Sequence, residues 1–384
     1  MAFAVQRGVR PTLIALSHLR WDFVFQRPQH LLTRAADDYD VIVVEEPIWT
    51  DAATPGVELL DREYGIRVVQ PTLPHGTSHA ATIDHQQLVL DGLVAGTEGP
   101  LTLWYYTPMA LPFTRHIEAD VTVFDKMDQL SAFANPPPLL LALEQELLER
   151  ADVVFTGGAA MHAAAAQRHT NIHCFPSSID TAHFAAARAG LPDPSDQAAI
   201  AHPRIGFFGV IDERMDVSLV GEVAGLRPDW AIVMIGPTAK IDPAHLPQAS
   251  NLHWLGGKSY ADLPPYLANW DVGFMPFAIN DATKFISPTK TPEFLAVGLP
   301  VVSTAIADVV APYGDLGLVE IASTADQTVA AIERVMVRDR GPWLAKVDAQ
   351  LARGSWDQVW ADMHALMLAA SVSAAPQLKE TARV

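Results

Sequence analysis

The stretch Ser287–Thr304, SPTKTPEFLAVGLPVVST, predicts a loop, a short helix, a tight glycine turn and a buried strand. Ser287 or Thr289 can cap the start of this helix, and Gly298 suits the turn that ends it. Because proline is tolerated only in about the first turn of a helix, Pro292 keeps the helix start near Ser287–Thr291. The apolar run after the turn is typical of a parallel strand that helices cover on both faces. The stretch therefore predicts an α/β fold.

Two charged residues lie three positions apart at the start of this helix, Lys290 and Glu293. A helix N-terminus offers free N–H groups and a positive dipole end, which suits a phosphate group, and Lys290 adds a positive charge there. Glu293 lies about one turn further on. Its carboxylate can accept two hydrogen bonds from a ribose diol. The same pattern also fits a capped surface helix whose charged side chains face water, and the local sequence leaves both interpretations open.

Similar apolar runs recur along the chain with helical segments between most of them, as in parallel βαβ units. In the N-terminal half the predicted strands are Thr12–Ser17, Val41–Glu45, Ile66–Gln70, Leu101–Tyr106, Val121–Asp125, Val153–Thr156 and Ile172–Phe175. In the C-terminal half they are Arg204–Gly209, Ala231–Ile235, Asn251–Leu255, Val272–Phe277, Val301–Thr304 and Leu318–Ile321. Two such domains in tandem form a cleft that the C-terminal ends of the strands line.

The composition changes over residues 188–203, which are rich in Ala, Pro and Asp, carry no clear period and predict a linker. We therefore predict a first α/β domain over residues 1–187 and a second over residues 204–345. A helix with Trp356 and Trp360 on one face is predicted to follow over residues 346–370, within a helical region that starts near Trp343. Residues 371–384 are predicted to be a disordered tail.

Composition narrows the functional classes. The 384 residues include 44 acidic and 26 basic side chains, a net charge of −18, which disfavours nucleic-acid binding and a broad basic membrane surface. Neither a signal peptide nor a run of ~18 apolar residues is visible, so we expect a cytoplasmic protein. The single cysteine, Cys174, cannot form an internal disulfide. The sequence shows no metal-ligand spacing, no P-loop and no GxGxxG after the first strand, so metal, ATP and NAD sites are not predicted.

Several segments together resemble one enzyme family. Thr289-Lys-Thr-Pro-Glu293-Phe-Leu-Ala-Val-Gly298-Leu-Pro-Val-Val resembles the donor-site signature of retaining GT-B glycosyltransferases of the family 4 type. The segments that agree with that family in order and spacing are Pro176–Phe184, Phe207–Gly209, Leu255–Tyr260, Asp271–Pro276 and the helix with Trp356. The first domain fits more loosely. Its segments Trp21–His30 and Val123–Phe133 are similar to a bacterial subgroup involved in surface-polysaccharide assembly.

The resemblance implies a GT-B fold, in which two Rossmann-like domains face each other across a cleft and a C-terminal helix crosses back to the first domain. It implies transfer of a hexosyl unit, with retention, from a nucleoside diphosphate sugar to a hydroxyl of a glycan or lipid-linked acceptor. The donor, UDP- or GDP-linked, is then a co-substrate, and no cofactor is needed. Peripheral contact with the inner face of the membrane or with polysaccharide-assembly partners is compatible with this role.

The resemblance also suggests roles for individual residues. Asp128 and Lys290 are the catalytic candidates; Asp128, which we prefer to Asp125, can alternatively cap the next helix. The donor-binding candidates are Glu293, Ser287, Thr289, Arg214, Gly209, Gly236, Lys258 and Tyr260. The acceptor-side candidates are Gln26, Arg27, His30 and Tyr106. For the last three, a structural ion pair, a packing histidine and a core aromatic are the alternative interpretations.

Three positions depart from the family pattern. Phe285 stands where the family has its first glutamate, and Val210 and Asp216 stand where it has the basic residues that clamp the diphosphate. Only Arg214 or Lys284 can then supplement Lys290. These departures keep two alternatives open: a sugar-nucleotide epimerase or hydrolase on the same fold, and a non-catalytic protein that binds a nucleotide or a partner enzyme.

Overall fold

The computed structural model describes residues 9–374, which form two α/β domains and a C-terminal helix. The strands of the first domain are β1 (Thr12–Ser17), β2 (Asp40–Glu45), β3 (Ile48–Thr50), β4 (Gly56–Asp61), β5 (Arg67–Pro74), β6 (Leu101–Tyr105), β7 (Val121–Lys126), β8 (Val153–Thr156) and β9 (Ile172–Cys174). The helices in this part of the chain are α1 (Arg27–Asp38), α2 (His79–Ala95), α3 (Leu111–Thr114), α4 (Leu140–Arg150), α5 (Ala159–Ala165) and α6 (Thr181–Ala185).

The second domain follows the same alternation. Its strands are β10 (Arg204–Phe208), β11 (Ala231–Ile235), β12 (Leu252–Trp254), β13 (Val272–Met275), β14 (Val301–Ser303) and β15 (Val319–Ile321). Its helices are α7 (Val217–Leu226), α8 (Leu263–Ala268), α9 (Lys290–Val297), α10 (Ala307–Val309) and α11 (Ala325–Met336). Two further helices complete the chain, α12 (Arg340–Leu351) and α13 (Trp356–Ala374).

Both sheets have the parallel order that brings strand ends to one edge. The first runs β3-β5-β2-β1-β6-β7-β8-β9, with β4 added antiparallel to β5. The second runs β12-β11-β10-β13-β14-β15 and is parallel throughout. All six residues of β1 and all five of β10 are buried, as expected of central strands covered by helices on both faces. The predicted pair of α/β domains is confirmed.

Close packing of α9 on the second sheet fixes the position of the stretch that opened the sequence analysis. A Cβ atom at Gly273 in β13 would lie 2.9 Å from the ring of Phe294, so glycine allows the helix to approach the strand. Gly298 ends the helix with φ +86°, the left-handed turn that the sequence predicts. The start of α9 therefore faces the C-terminal ends of β10 and β13.

The C-terminal helix α13 packs on α1, β7 and β8 of the first domain, so the chain crosses back as predicted. Trp356 is buried and stacks on His30 with ring centroids 4.6 Å apart. The indole of Trp360 donates a hydrogen bond to Asp38. Residues 188–203, predicted as a linker, are anchored to the second domain, because the buried Gln197 accepts a hydrogen bond from the indole of Trp270.

The structure differs from the predicted local structure at three places. Strands β3 and β4 were not predicted, because β3 has three residues and most of β4 is exposed without an alternating apolar face. The single helical region from Trp343 is two helices, since Gly354 interrupts it and Ser355 caps α13 by accepting from the Gln358 N–H. Residues 371–374 are helical rather than a tail, and residues 375–384 lie outside the described residues.

Candidate active site

A cavity of about 620 Å³ lies between the two domains. The second domain lines it with the ends of β10 and β11 and with the loop that leads into α9. The first domain lines it with the segment that follows β1 and with the turn that follows β7. Most predicted site residues meet here: Gln26, Arg27, Asp128, Gly209, Arg214, Gly236, Lys258, Tyr260, Ser287, Thr289, Lys290 and Glu293.

The start of α9 presents its charged pair to this cavity without the predicted cap. The helix begins at Lys290, and Thr289 has helical backbone angles of φ −57° and ψ −29° with no side-chain capping bond. Ser287 does not cap it either. Its carbonyl accepts a hydrogen bond of 2.6 Å from the Ser177 hydroxyl of the segment after β9. The loop is thus held by a contact between distant parts of the chain, which no local pattern reveals.

Glu293 is a buried acid with an unused acceptor. It is 4% exposed, and its Oε2 atom has no hydrogen-bond partner. Burial raises the pKa of Glu293 to about 7, although the Lys290 charge and the Thr289 hydroxyl oppose the shift. A buried carboxylate oxygen without a partner is costly unless a ligand supplies the missing hydrogen bond. The position therefore suits a ligand with hydroxyl donors.

Lys290 is enclosed by the end of β10. Its ammonium lies 5.7 Å and 5.9 Å from the ring centroids of Phe207 and Phe208. Burial lowers the pKa of Lys290, and the Glu293 charge opposes this effect. A Cβ atom at Gly209 would lie 2.1 Å from the Lys290 Cε atom, so this side chain can occupy its place only beside a glycine.

Gly209 and Gly236 let the ends of two neighbouring strands approach. Their φ values are +133° and +151°. A Cβ atom at Gly236 would lie 1.8 Å from the Gly209 carbonyl oxygen. At both positions a glycine is therefore needed, because the space that a side chain would fill is taken by Lys290 beside Gly209 and by the Gly209 carbonyl beside Gly236.

The second domain supplies less free positive charge than the sequence suggested. Arg214 reaches the cavity, but its guanidinium binds Asp212, with Nη2 2.6 Å from Oδ2. Asp216 caps α7 by accepting from the Leu219 N–H, which gives it a structural role. Lys284 was considered as a second supplement to Lys290, but it and Phe285 line a separate cavity of about 350 Å³.

Lys258 and Tyr260 form the wall beyond α9. Lys258 pairs with Asp196 at 2.7 Å. The Tyr260 ring stacks on His183 and on Phe25 of the first domain, at centroid distances of 4.5 Å and 4.8 Å. The Tyr260 hydroxyl is buried without a partner, and burial, with the Glu293 charge next, raises its pKa. The cavity lining therefore includes two residues with an unpartnered polar atom, the Tyr260 hydroxyl and the Glu293 Oε2.

In the first domain, two carboxylates lie near the end of β7, Asp125 and Asp128, and Asp128 is the more accessible of the two. Asp125 is completely buried and binds Arg27, with Nη2 2.9 Å from Oδ1. Arg27 touches the cavity but is committed to this ion pair and to the carbonyl of Phe175. Asp128 lines the cavity, and the short helical turn from Leu130 has no side-chain cap, so the alternative of Asp128 as a helix cap is wrong.

Two predicted acceptor-side residues are absent from the cavity lining. His30 packs between Trp356 and Phe25, and burial lowers its pKa to about 3. Tyr106 is 2% exposed and belongs to the core that α13 covers. Both side chains point to the packed face of the first sheet. Their placement matches the packing alternatives.

Sequence reasoning missed residues around the first-domain wall. His18 follows β1. Burial lowers the pKa of its ring, and the charge of the nearby Asp128 opposes this effect. Its Nδ1 atom is buried and unpartnered. His18 is not among the residues that line the cavity, whereas Phe23, Arg62 and Tyr64 do line it. The polar segment after β1 could have indicated His18 and Phe23, but Arg62 and Tyr64 follow the unpredicted strand β4.

Within residues 9–374, no group of three or more His, Cys, Asp or Glu side chains is arranged to hold a metal ion. Over the same residues, no helix has the length and apolar composition that crossing a bilayer requires.

Residues 202–338 match the family model for glycosyl transferases group 1. This matched segment contains the start of α9, both strand-end glycines and Arg214. A Bacillus subtilis (strain 168) protein with the provisional name teichuronic acid biosynthesis glycosyltransferase TuaH is 26% identical over 218 residues. The match covers 53% of this chain and 55% of that protein, so it spans about half the length of the curated relative.

Solved structures extend the likeness to almost the whole chain. The E. coli trehalose-6-phosphate structure bound with UDP-2-fluoro glucose has a TM-score of 0.67 at 12% identity, covering 93% of this chain and 99% of that one. Sucrose-phosphate synthase from Thermosynechococcus elongatus has a TM-score of 0.65 at 13% identity, with coverages of 97% and 99%. Anabaena Alr3699/HepE in complex with UDP and glucose has a TM-score of 0.64 at 14% identity, with coverages of 93% and 98%. The predicted GT-B fold is confirmed.

Proposed function

We propose that this protein is a glycosyltransferase that moves a hexosyl unit from a nucleoside diphosphate sugar to a hydroxyl acceptor with retention. One observation carries the proposal: Lys290 and the buried Glu293, whose Oε2 atom has no partner, face an interdomain cavity from one helix start. The group 1 match over residues 202–338 supports it, because that segment includes the helix.

In the proposed complex, the donor lies against the second domain. Glu293 accepts hydrogen bonds from the ribose hydroxyls, and Lys290, at the positive end of the α9 dipole, faces the diphosphate. Gly209 leaves the space that the Lys290 side chain needs beside the end of β10. As the bond to the sugar breaks, negative charge grows on the leaving diphosphate, and the fixed Lys290 charge stabilises it. Arg214 can add to this field, although Asp212 offsets much of its charge.

The acceptor lies against the first domain, where Asp128 can orient its hydroxyl. We propose no resident metal or organic cofactor; the nucleotide sugar is the co-substrate. A UDP-linked donor is the first choice, because two of the structural neighbours hold UDP or a UDP-sugar analogue. The likeness to the B. subtilis relative supports a role in cell-surface polysaccharide synthesis. As part of the proposal, the reaction takes place at the cytoplasmic side of the membrane.

A thermal-shift screen against UDP, GDP, ADP, CMP and dTDP sugars tests the donor half of the proposal. A ligand that binds only the folded state raises the free energy of unfolding, by about 2.7 kcal/mol at a ligand concentration of about a hundred times Kd. The melting temperature rises as a result. Calorimetry with Lys290→Ala and Glu293→Ala then assigns the site, with Lys346→Ala as a control for loss of an exposed lysine. Addition of EDTA to the assay tests the independence from metal.

The expected result is that one nucleotide class stabilises the wild type and that both site variants lose this effect, while Lys346→Ala keeps it. Donor binding that both variants retain would contradict the proposed site. Turnover of the donor without any acceptor, to an epimer or to free sugar, would identify the epimerase or hydrolase instead. Binding without turnover over a broad acceptor panel would indicate a non-catalytic protein.

A further inference from the structure

The first-domain rim of the cavity carries two aromatic side chains that the fold does not use. Phe23 and Tyr64 line the cavity and are 49% and 68% exposed. Within residues 9–374, neither ring packs on another aromatic ring, whereas the neighbouring Phe25 packs on His30 and Tyr260. Exposed aromatic rings inside a cleft are unfavourable in water and are typical of ligand contacts.

The two loops that carry these rings are held together. Asp22, next to Phe23, accepts a bidentate hydrogen bond from Arg62, two residues before Tyr64, with distances of 2.7 Å and 3.0 Å. The Trp21 N–H donates to Glu45 at the end of β2, which ties the first loop to the sheet. Phe23 and Tyr64 are therefore held close together, and we name this pair the aromatic rim.

The backbone of Tyr64 supports a functional role for the rim. Tyr64 has φ +61° and ψ +17°, the left-handed region, in a short turn over Glu63–Gly65. This conformation costs a residue other than glycine about 1–2 kcal/mol. The fold retains a bulky side chain where glycine would be favoured and leaves its ring in the cavity. Such retained strain is concentrated at binding sites.

We propose that the aromatic rim binds a pyranose ring of an oligosaccharide acceptor, with the reacting hydroxyl further into the cavity towards Asp128. The term acceptor rests on the proposed function. The rim lies on the first domain, whereas Lys290 and Glu293 lie on the second, so a ligand on the rim leaves the donor half of the cavity free.

The chemistry around the rings favours a sugar. A pyranose has an apolar face of C–H groups that packs on an aromatic ring, and hydroxyls at its edge that exchange hydrogen bonds with charged side chains. Asp22, Arg62 and Glu63 line the cavity beside the rings and supply such partners. An acyl chain would bury these charges at a cost. An anionic membrane surface would meet two carboxylates and a single guanidinium here, which does not attract it.

The experiment compares glycan binding by the wild type with Phe23→Ala, Tyr64→Gly and the control Trp49→Ala. Tyr64→Gly removes the ring and relieves the backbone strain, so the turn is kept. Trp49 is an exposed aromatic residue of the same domain outside the cavity lining. The full chain is applied to an array of bacterial surface oligosaccharides and, separately, to phosphatidylglycerol vesicles. Calorimetry with UDP measures the donor half independently.

We expect the wild type and Trp49→Ala to bind oligosaccharides but not vesicles. Phe23→Ala and Tyr64→Gly should bind the oligosaccharides about tenfold more weakly. With a glycan that accepts sugar, the rim variants raise the acceptor KM by a similar factor and leave kcat within about twofold, as expected for uniform binding. UDP affinity stays unchanged in both variants.

Wild-type binding to no glycan of the array, or binding that both rim variants retain, would overturn the proposal. If the wild type binds vesicles and the rim variants do not, the ligand of the rim is a lipid and not a sugar, which would also overturn the proposal. The proposed function fails separately, if no nucleotide binds the wild type. Glycan binding through the rim would then remain as a property of a protein that is not a transferase.

Discussion

Glu293 combines two opposing requirements at the residue scale. The buried Oε2 atom, which has no hydrogen-bond partner, destabilises the ligand-free fold, yet the same oxygen is available to a ligand. Its pKa is raised to about 7 chiefly by burial, against an ordinary value of 4.5. The folded protein therefore binds a proton here more tightly than the unfolded chain does. From pH 4.5 to pH 7, this group lowers the stability of the ligand-free protein as the pH rises.

Donor affinity should increase with pH, whereas the stability of the ligand-free protein decreases. The carboxylate accepts hydrogen bonds from a ribose only when ionised, so UDP affinity should rise as the pH increases through about 7. Below that value it should fall by up to about tenfold per pH unit. Calorimetry from pH 5.5 to 8.5 measures this. Glu293→Gln should bind weakly with little pH dependence; a variant as pH-dependent as the wild type would place the titrating group elsewhere.

Gly209 allows a second test at a single residue. In Gly209→Ala the new Cβ atom would lie 2.1 Å from the Lys290 Cε atom, so the lysine must move away. We expect UDP affinity to fall at least about tenfold, by displacement of the charge beside the diphosphate. Gly76→Ala is the matched control, because Gly76 also has a positive φ, +83°, but no atom within 4 Å of the new methyl group. Equal loss of affinity in both variants would mean that backbone strain, not Lys290, is responsible.

At the scale of elements, the central strands and α9 could be predicted, while the edges and the long-range partners could not. Runs such as Thr12–Ser17 and Ala231–Ile235 are buried on both faces, so their composition alone indicates them. β4 is largely exposed at the sheet edge and leaves no such signal. The pairing of Arg214 with Asp212 and the burial of Tyr106 depend on neighbours that the fold brings together.

Helix α13 supplies a prediction about stability. Trp356 is 1% exposed and stacks on His30 of α1, which makes it the main aromatic anchor at the start of the helix. Trp356→Ala leaves a cavity between α13 and the first domain and should cost about 3–5 kcal/mol. Urea unfolding measures the loss. Leu368→Ala on the exposed face of the same helix should stay within about 0.5 kcal/mol of the wild type. Similar midpoints for the two variants would show that α13 contributes little to the fold.

At the scale of the whole molecule, the two domains are joined beside the cavity by a small set of polar contacts. The Asp308 carboxylate of the second domain accepts hydrogen bonds of 2.9 Å and 3.1 Å from the Ala159 and Ala160 N–H groups of the first. Ser177 donates to the Ser287 carbonyl in the loop before α9. Because Ser287 lies in the loop before α9, these contacts link the relative position of the two domains to the start of that helix.

Removing Asp308 should therefore open the molecule and weaken the site together. In Asp308→Ala the first-turn N–H groups of α5 lose their acceptor, and water must replace it at the cost of the closed arrangement. We expect a larger radius of gyration in small-angle X-ray scattering and a UDP affinity lower by about tenfold, although Asp308 is not in the cavity lining. Asp315→Ala, which removes an exposed carboxylate from the same domain, should change neither quantity. An unchanged radius with reduced affinity would show that Asp308 acts on the loop locally, and an increased radius with full affinity would separate closure from donor binding.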